Sequence, residues 1–108
     1  MKIPRSIKVG GVTYRVKRGT REDHEEAYGI TSHKHAYISL DPELDAEREA
    51  ETLLHELLHC AIYKGGLVEF FRHNKPLTEE EVVQGISDGL FQIIKDNKLD
   101  FNEPPTKS

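Results

Sequence analysis

His55-Glu56-Leu57-Leu58-His59 brings two imidazoles and a carboxylate together as H-E-x-x-H. The motif lies inside an apolar run, Thr52-Leu53-Leu54-His55-Glu56-Leu57-Leu58-His59-Cys60-Ala61-Ile62. On an α-helix, residues four apart lie one turn above each other on the same face. Both imidazoles can therefore hold one metal ion, and Zn²⁺ suits such a pair. Glu56 lies about 100° around the helix from His55, by the 3.6-residue turn. That is too far round for an equivalent ligand, but close enough to act on a water beside the metal. Two ligands and a general base from one turn are the signature of zinc-assisted hydrolysis.

The plainer alternative is a buried helix with two hydrogen-bonded histidines. Leu53, Leu54, Leu57, Leu58, Ala61 and Ile62 make this helix apolar nearly all round, which assigns it to the core. Two His and a Glu there are costly unless paired or bound to a metal. A zinc ion resolves that cost.

The 108 residues support one domain, expected over residues 1–98, with one modest core. Hydrophobic residues make up 36% and charged residues 31%, as in a soluble globular protein. No apolar stretch approaches the roughly 20 residues of a membrane span. Met1-Lys2-Ile3-Pro4-Arg5-Ser6 leads into no apolar segment of a secretory signal. Cys60 is the only cysteine, so no internal disulfide can form, and a cytoplasmic location is expected. Position 60 points away from the His55/His59 face, so Cys60 reads as a small core side chain. A net charge of −4 argues against a nucleic-acid partner, and a monomer is favoured. Arg15, Lys17, Arg18 and Arg21 read as a solvated hairpin face.

The elements that must carry the motif are legible from their punctuation. Ile7 to Arg18 alternates apolar and polar residues around Gly10-Gly11, a β-hairpin signal. Residues 19–34 are polar, with a turn at Tyr28-Gly29 and weak helical propensity over Arg21–Ala27. Ala36-Tyr37-Ile38-Ser39-Leu40 reads as a third strand. Asp41 is expected to cap the motif helix, with Pro42 in its first turn. Gly65-Gly66 ends it. Residues 67–77, with Leu67, Val68, Phe70 and Phe71, are expected to fold over the core. Thr78 and Glu81 form a capping box for a last helix. That helix is expected to bury Val82, Val83, Ile86, Leu90, Ile93 and Ile94. Residues 99–108 read as a disordered tail. The expected class is α+β: a small antiparallel sheet of about three strands packed on the motif helix and the C-terminal helix.

A catalytic zinc needs a third protein ligand and one open position. The continuation H-E-x-x-H-x-x-G-x-x-H is absent, because Ile62 and Gly65 stand where its Gly and third His would be. A Glu from a later helix is the remaining solution, and Glu79-Glu80-Glu81 opens the last helix. Compensation of the helix dipole explains two of the three. Helical phase favours Glu79.

The segment Thr52–His59, followed by Glu79-Glu80-Glu81-Val82-Val83-Gln84-Gly85-Ile86-Ser87, resembles small phage and prophage metallopeptidases. These are similar to the ImmA/IrrE-type gluzincins, a minimal thermolysin-like fold. Tyr28-Gly29 and the strand Ala36–Leu40 fit the same layout. The family carries E-x-x-A-N/D-x-F-A on its second helix, and its first Glu binds zinc. The matching register runs Glu80, Val83, Gln84, Ile86, Ser87. The resemblance thus implies His55, His59 and Glu80 as zinc ligands, Glu79 as the alternative third, and Glu56 as catalytic base. Gln84 is a departure, since Asn or Asp there would orient a ligand histidine.

The implied activity is hydrolysis of a protein substrate by a zinc-activated water, in the host cytoplasm if the gene is phage-borne. Tyr28, His33, His35 and His73 are candidates for stabilising the oxyanion; His24 reads as a solvated surface residue. Substrate would lie along an edge strand, for which Ala36–Leu40 is the candidate. A zinc-binding protein-interaction module without efficient proteolysis is the alternative function.

Overall fold

The computed structural model describes residues 3–73 and 77–97. The expected disordered tail, 99–108, lies outside them. Four strands and three helices follow in the order β1 Ser6–Val9, β2 Val12–Arg18, β3 Gly29–Ser32, β4 Tyr37–Leu40, α1 Ala46–Lys64, α2 Val68–His73 and α3 Glu79–Asp96. The class is α+β, as expected, but the sheet has four strands and is mixed. Its order is β1-β2-β4-β3.

β1 and β2 form the expected hairpin, with Ile7 opposite Tyr14. Gly10 and Gly11 take φ of +54° and +92°, the region a two-residue hairpin turn needs and L side chains avoid. β2 then pairs parallel with β4, because the chain crosses over to lay down β3 first. β3 and β4 are an antiparallel hairpin joined across His33-Lys34-His35-Ala36. β3 is the strand that polarity hid. Its signal was the β-branched pair Ile30-Thr31 after a turn glycine. Arg21–Ala27 forms turns rather than helix.

Register settles which side chains face the helix. Val16, Ile38 and Thr31 form one row across the sheet, and Arg18, Leu40 and Gly29 form the next. α1 covers this face. Leu53 and Cys60 pack with Tyr14, Ile38 and Leu40, all buried, and Leu57 lies against them. At the helix's entry, Arg18 clasps the buried Glu49 carboxylate with two bonds of 2.6 and 2.7 Å. Such a bidentate pair fixes orientation as well as adding attraction.

Asp45, not Asp41, caps α1, accepting from the Arg48 amide at 2.7 Å. Asp41 instead holds a preceding turn by accepting from the Glu43 amide, and Pro42 sits inside that turn. At the other end, Gly66 N–H bonds Tyr63 C=O and Leu67 N–H bonds Ile62 C=O. This is the paired arrangement that closes a helix on a left-handed glycine; Gly66 has φ of +73°.

Thr78 caps α3 as expected, and its hydroxyl accepts from the Glu81 amide. The buried face agrees with the expected one at Val83 and Ile94 and differs elsewhere. It is Val83, Ser87, Phe91 and Ile94, while Ile86, Leu90 and Ile93 look outward. Both stripes repeat at helical spacing, so periodicity alone could not choose between them. Nor do the described residues of the connection bury themselves over the core: α2 buries no residue, and Leu67, Phe70 and Leu77 are exposed.

These two stripes predict opposite mutational costs. Ile94→Ala, on the buried stripe, should destabilise by about 2–5 kcal/mol, as for a buried isoleucine. Ile93→Ser should stay within about 0.5 kcal/mol of wild type. Urea unfolding of the two variants checks the assignment.

Candidate metal centre

The site forms where the middle of α1 meets the first turn of α3. His55 and His59 lie one turn apart on α1, their rings edge to face with centroids 5.0 Å apart. Glu80 reaches across from α3 and bridges them. One carboxylate oxygen lies 2.7 Å from His55 Nε2, and the other lies 2.9 Å from His59 Nε2. These three residues form a group that can hold a metal ion, with one donor atom from each lying within 4.8 Å of the others. Tetrahedral ligands about 2.0–2.1 Å from a common ion sit roughly 3.3 Å apart, which is close to the two Glu80–imidazole distances and inside the 4.8 Å bound on the group.

Glu80 is thus the residue that converges on both imidazoles. Glu79 approaches from the other side and lies 2.5 Å from His59 Nδ1. Glu81 turns away to the cap, accepting from the Thr78 hydroxyl. Three successive glutamates therefore have three different contacts. Consecutive helical residues point about 100° apart, which is why one turn can serve all three.

The histidines are half-buried rather than deep in the core, with side chains 16% and 17% exposed. Among the described residues, every buried side-chain nitrogen and oxygen has a partner. The polar cost anticipated for this helix is therefore met in part by carboxylates.

Glu56 faces the sheet side of the same pocket and is 8% exposed. Thr31, in the row facing α1, donates its hydroxyl to Glu56 Oε1 at 2.6 Å. Gly29, two residues earlier on the same face, leaves the space that the carboxylate fills. A Cβ there would come within 2.9 Å of Glu56 Oε2 and 2.8 Å of the Thr52 methyl. Thr31 was not foreseen, since its role depends on a strand that was itself unread. Beside these groups lies an open cavity of about 340 Å³, with Tyr28, Arg48, His55, Glu56, Glu80 and Gln84 in its wall.

Of the candidate oxyanion donors, Tyr28 borders this cavity. His33 is held by the Tyr14 hydroxyl at 3.0 Å and stacks on Tyr63 at 4.0 Å. Burial lowers its pKa from 6.5, against the opposing field of Glu79. His35 is exposed on the β3–β4 turn, and His73 pairs with Glu69 on α2. His24 is buried, not solvated: its ring nitrogens bond Ala27 C=O and the Ser39 hydroxyl, each at 2.8 Å. It pins the 19–28 loop to β4.

β4, expected as the edge, is a central strand with β2 and β3 on its two sides. The edge beside the site is β3. Gln84 donates to Asp88 at 2.8 Å rather than to either histidine. No family model, curated protein or solved structure matches this chain.

Cys60 occupies the core, as its helical position implied. Burial, then the nearby Glu56 charge, push its thiol from 9.0 up to about 11. Because the folded value lies above the unfolded one, the neutral thiol's contribution to stability is complete below pH 9.0. It is lost as pH rises through about 11. Cys60→Ala should therefore show a shallower loss of urea stability over that interval than wild type.

Proposed function

We propose that this chain is a zinc-dependent metallopeptidase of the gluzincin type. It would use the minimal fold of the family that its sequence resembles. The observation that carries this reading is the convergence of His55, His59 and Glu80, with Glu56 held beside them by Thr31. A His₂Glu donor set that leaves a position open is the composition of a catalytic zinc site. When bound, zinc supplies Lewis acidity and acidifies a water.

The remaining chemistry belongs to the chain. Glu56 Oε1 is occupied by the Thr31 hydroxyl, which sets the plane of the carboxylate. Glu56 takes a proton from the attacking water as oxygen bonds to the peptide carbon. It returns that proton to the leaving nitrogen as the C–N bond breaks. Tyr28 borders the cavity where the carbonyl oxygen would develop charge, whereas His33, His35 and His73 do not line it, so Tyr28 is the candidate donor. An extended peptide can add to the open edge of β3, which runs past Glu56.

Ile86, Leu90 and Ile93 form an exposed apolar stripe, which supports a second reading. In that reading the same metal-binding fold serves as a docking module for another protein, with little or no hydrolysis.

Two experiments test the proposal. Protein refolded with zinc and freed of excess metal should contain one ion per chain. His55→Ala, His59→Ala and Glu80→Ala should each lose it, whereas Glu81→Ala should keep it and lose only about 0.5–2 kcal/mol of capping. Metal near zero in the wild type ends the metal-centre reading. Glu56→Gln should retain zinc and fold while slowing cleavage by roughly 10²–10⁴-fold. The substrate for that assay is a protein captured from the native host by Glu56→Gln. Equal cleavage by both forms refutes the role of Glu56. Binding without cleavage by either favours the docking module.

A further inference from the structure

We propose that Glu79 is a positioning residue, one that holds His59 in the tautomer and orientation a metal requires. The inference rests on the metal-centre reading above. His59 is contacted at both ring nitrogens: Nε2 faces Glu80 at 2.9 Å, and Nδ1 faces Glu79 at 2.5 Å. A neutral imidazole carries one N–H, and only its bare nitrogen can ligate. With Glu79 accepting at Nδ1, a proton kept on Nδ1 would leave Nε2 as the nitrogen for a metal, on the side of His55 and Glu80. A carboxylate on the far nitrogen also makes the imidazole a better donor.

Three further observations separate Glu79 from a residue that merely answers the helix dipole. Glu79 is the first residue of α3, yet its side chain is only 26% exposed, against 64% for Glu80. A carboxylate serving the dipole alone needs no such burial. Thr78 and Glu81 already satisfy the cap between themselves. Gln84, one turn beyond Glu80, is engaged by Asp88 and so is not serving either ligand histidine. The orienting acid thus precedes the ligand glutamate in the chain, instead of following it by one turn.

The test measures zinc affinity by competition with a chromophoric chelator, for wild type, Glu79→Ala, Glu79→Gln and Glu80→Ala. Thermal unfolding of each metal-free form serves as the control for folding. Glu79→Ala should still bind one zinc, but roughly 10–100-fold more weakly. Glu79→Gln keeps an oxygen acceptor for Nδ1–H and should recover much of that loss. Glu80→Ala should abolish binding. Substituting Co²⁺ adds a signature that a purely structural role would leave unchanged: the visible ligand-field bands should shift in Glu79→Ala.

Unchanged zinc affinity in Glu79→Ala, with binding lost in Glu80→Ala, overturns the proposal and leaves the metal centre standing. Binding lost in Glu79→Ala and kept in Glu80→Ala overturns it too, by making Glu79 the ligand. A wild type that binds no zinc removes the centre itself. If Glu79→Ala fails to fold, the comparison of Glu79→Gln with wild type decides. Equal affinity with altered bands supports the positioning role, and unaltered bands refute it.

Discussion

α1 must lie against an apolar sheet and expose a polar turn within the same few residues, and the rest of the molecule is arranged around that conflict. Leu53 and Cys60 face the sheet core, while His55 and His59 face α3. Glu56 falls between the two and is the most constrained group of the three. It is buried, it is a carboxyl group, and it sits where the helix touches β3. An unsatisfied carboxylate there would cost several kcal/mol. Thr31 supplies the hydrogen bond and Gly29 the space, so strand β3 is as necessary to the site as the motif helix. The Arg18–Glu49 pair sets the same helix from its other end. Both contacts use positions on one face of the sheet, so a one-residue slip in register would lose them together.

Much of this was legible in the chain, and the reasons are local. The β1–β2 turn needs positive φ at two positions, and only consecutive glycines announce that so plainly. The α1 terminus at Gly65-Gly66 and the α3 cap at Thr78 are chemical signals read within four residues. H-E-x-x-H fixes three functional groups by helical geometry alone. What was missed depended on contacts between distant segments. β3 is short and polar because it faces a carboxylate, so its pattern never alternated cleanly. Asp41 and Asp45 are equally good caps in isolation, and a turn led by Pro42 decided between them. On α3, Val83–Ser87–Phe91–Ile94 includes a serine, and the outward stripe Ile86–Leu90–Ile93 is the more apolar. The docking of α3 on α1 buries the less hydrophobic face, and in that orientation Glu79 and Glu80 reach the histidines. The choice between those two glutamates could not come from phase alone, since both reach His59, from opposite sides.

The three histidines outside the motif that gained defined partners illustrate the same limit. His24, His33 and His73 are alike in sequence, each surrounded by polar residues. One became a loop anchor with both nitrogens bonded, one an aromatic stack between Tyr14 and Tyr63, and one an exposed partner of Glu69. Residue type told nothing of this; topology did.

The position of β3 has a consequence for how the molecule avoids its own kind. A strand at a sheet margin presents unpaired amides and carbonyls that invite a second copy to extend the sheet. β3 offers four residues, or about 13 Å of ladder at ~3.4 Å per residue. That is too little to hold a copy of itself firmly, because short strand pairs are marginal in water. The other margin, β1, is equally short and carries Lys8. Brevity thus limits how firmly another chain can extend the sheet, and among the described residues no further strand covers the margin beside Glu56.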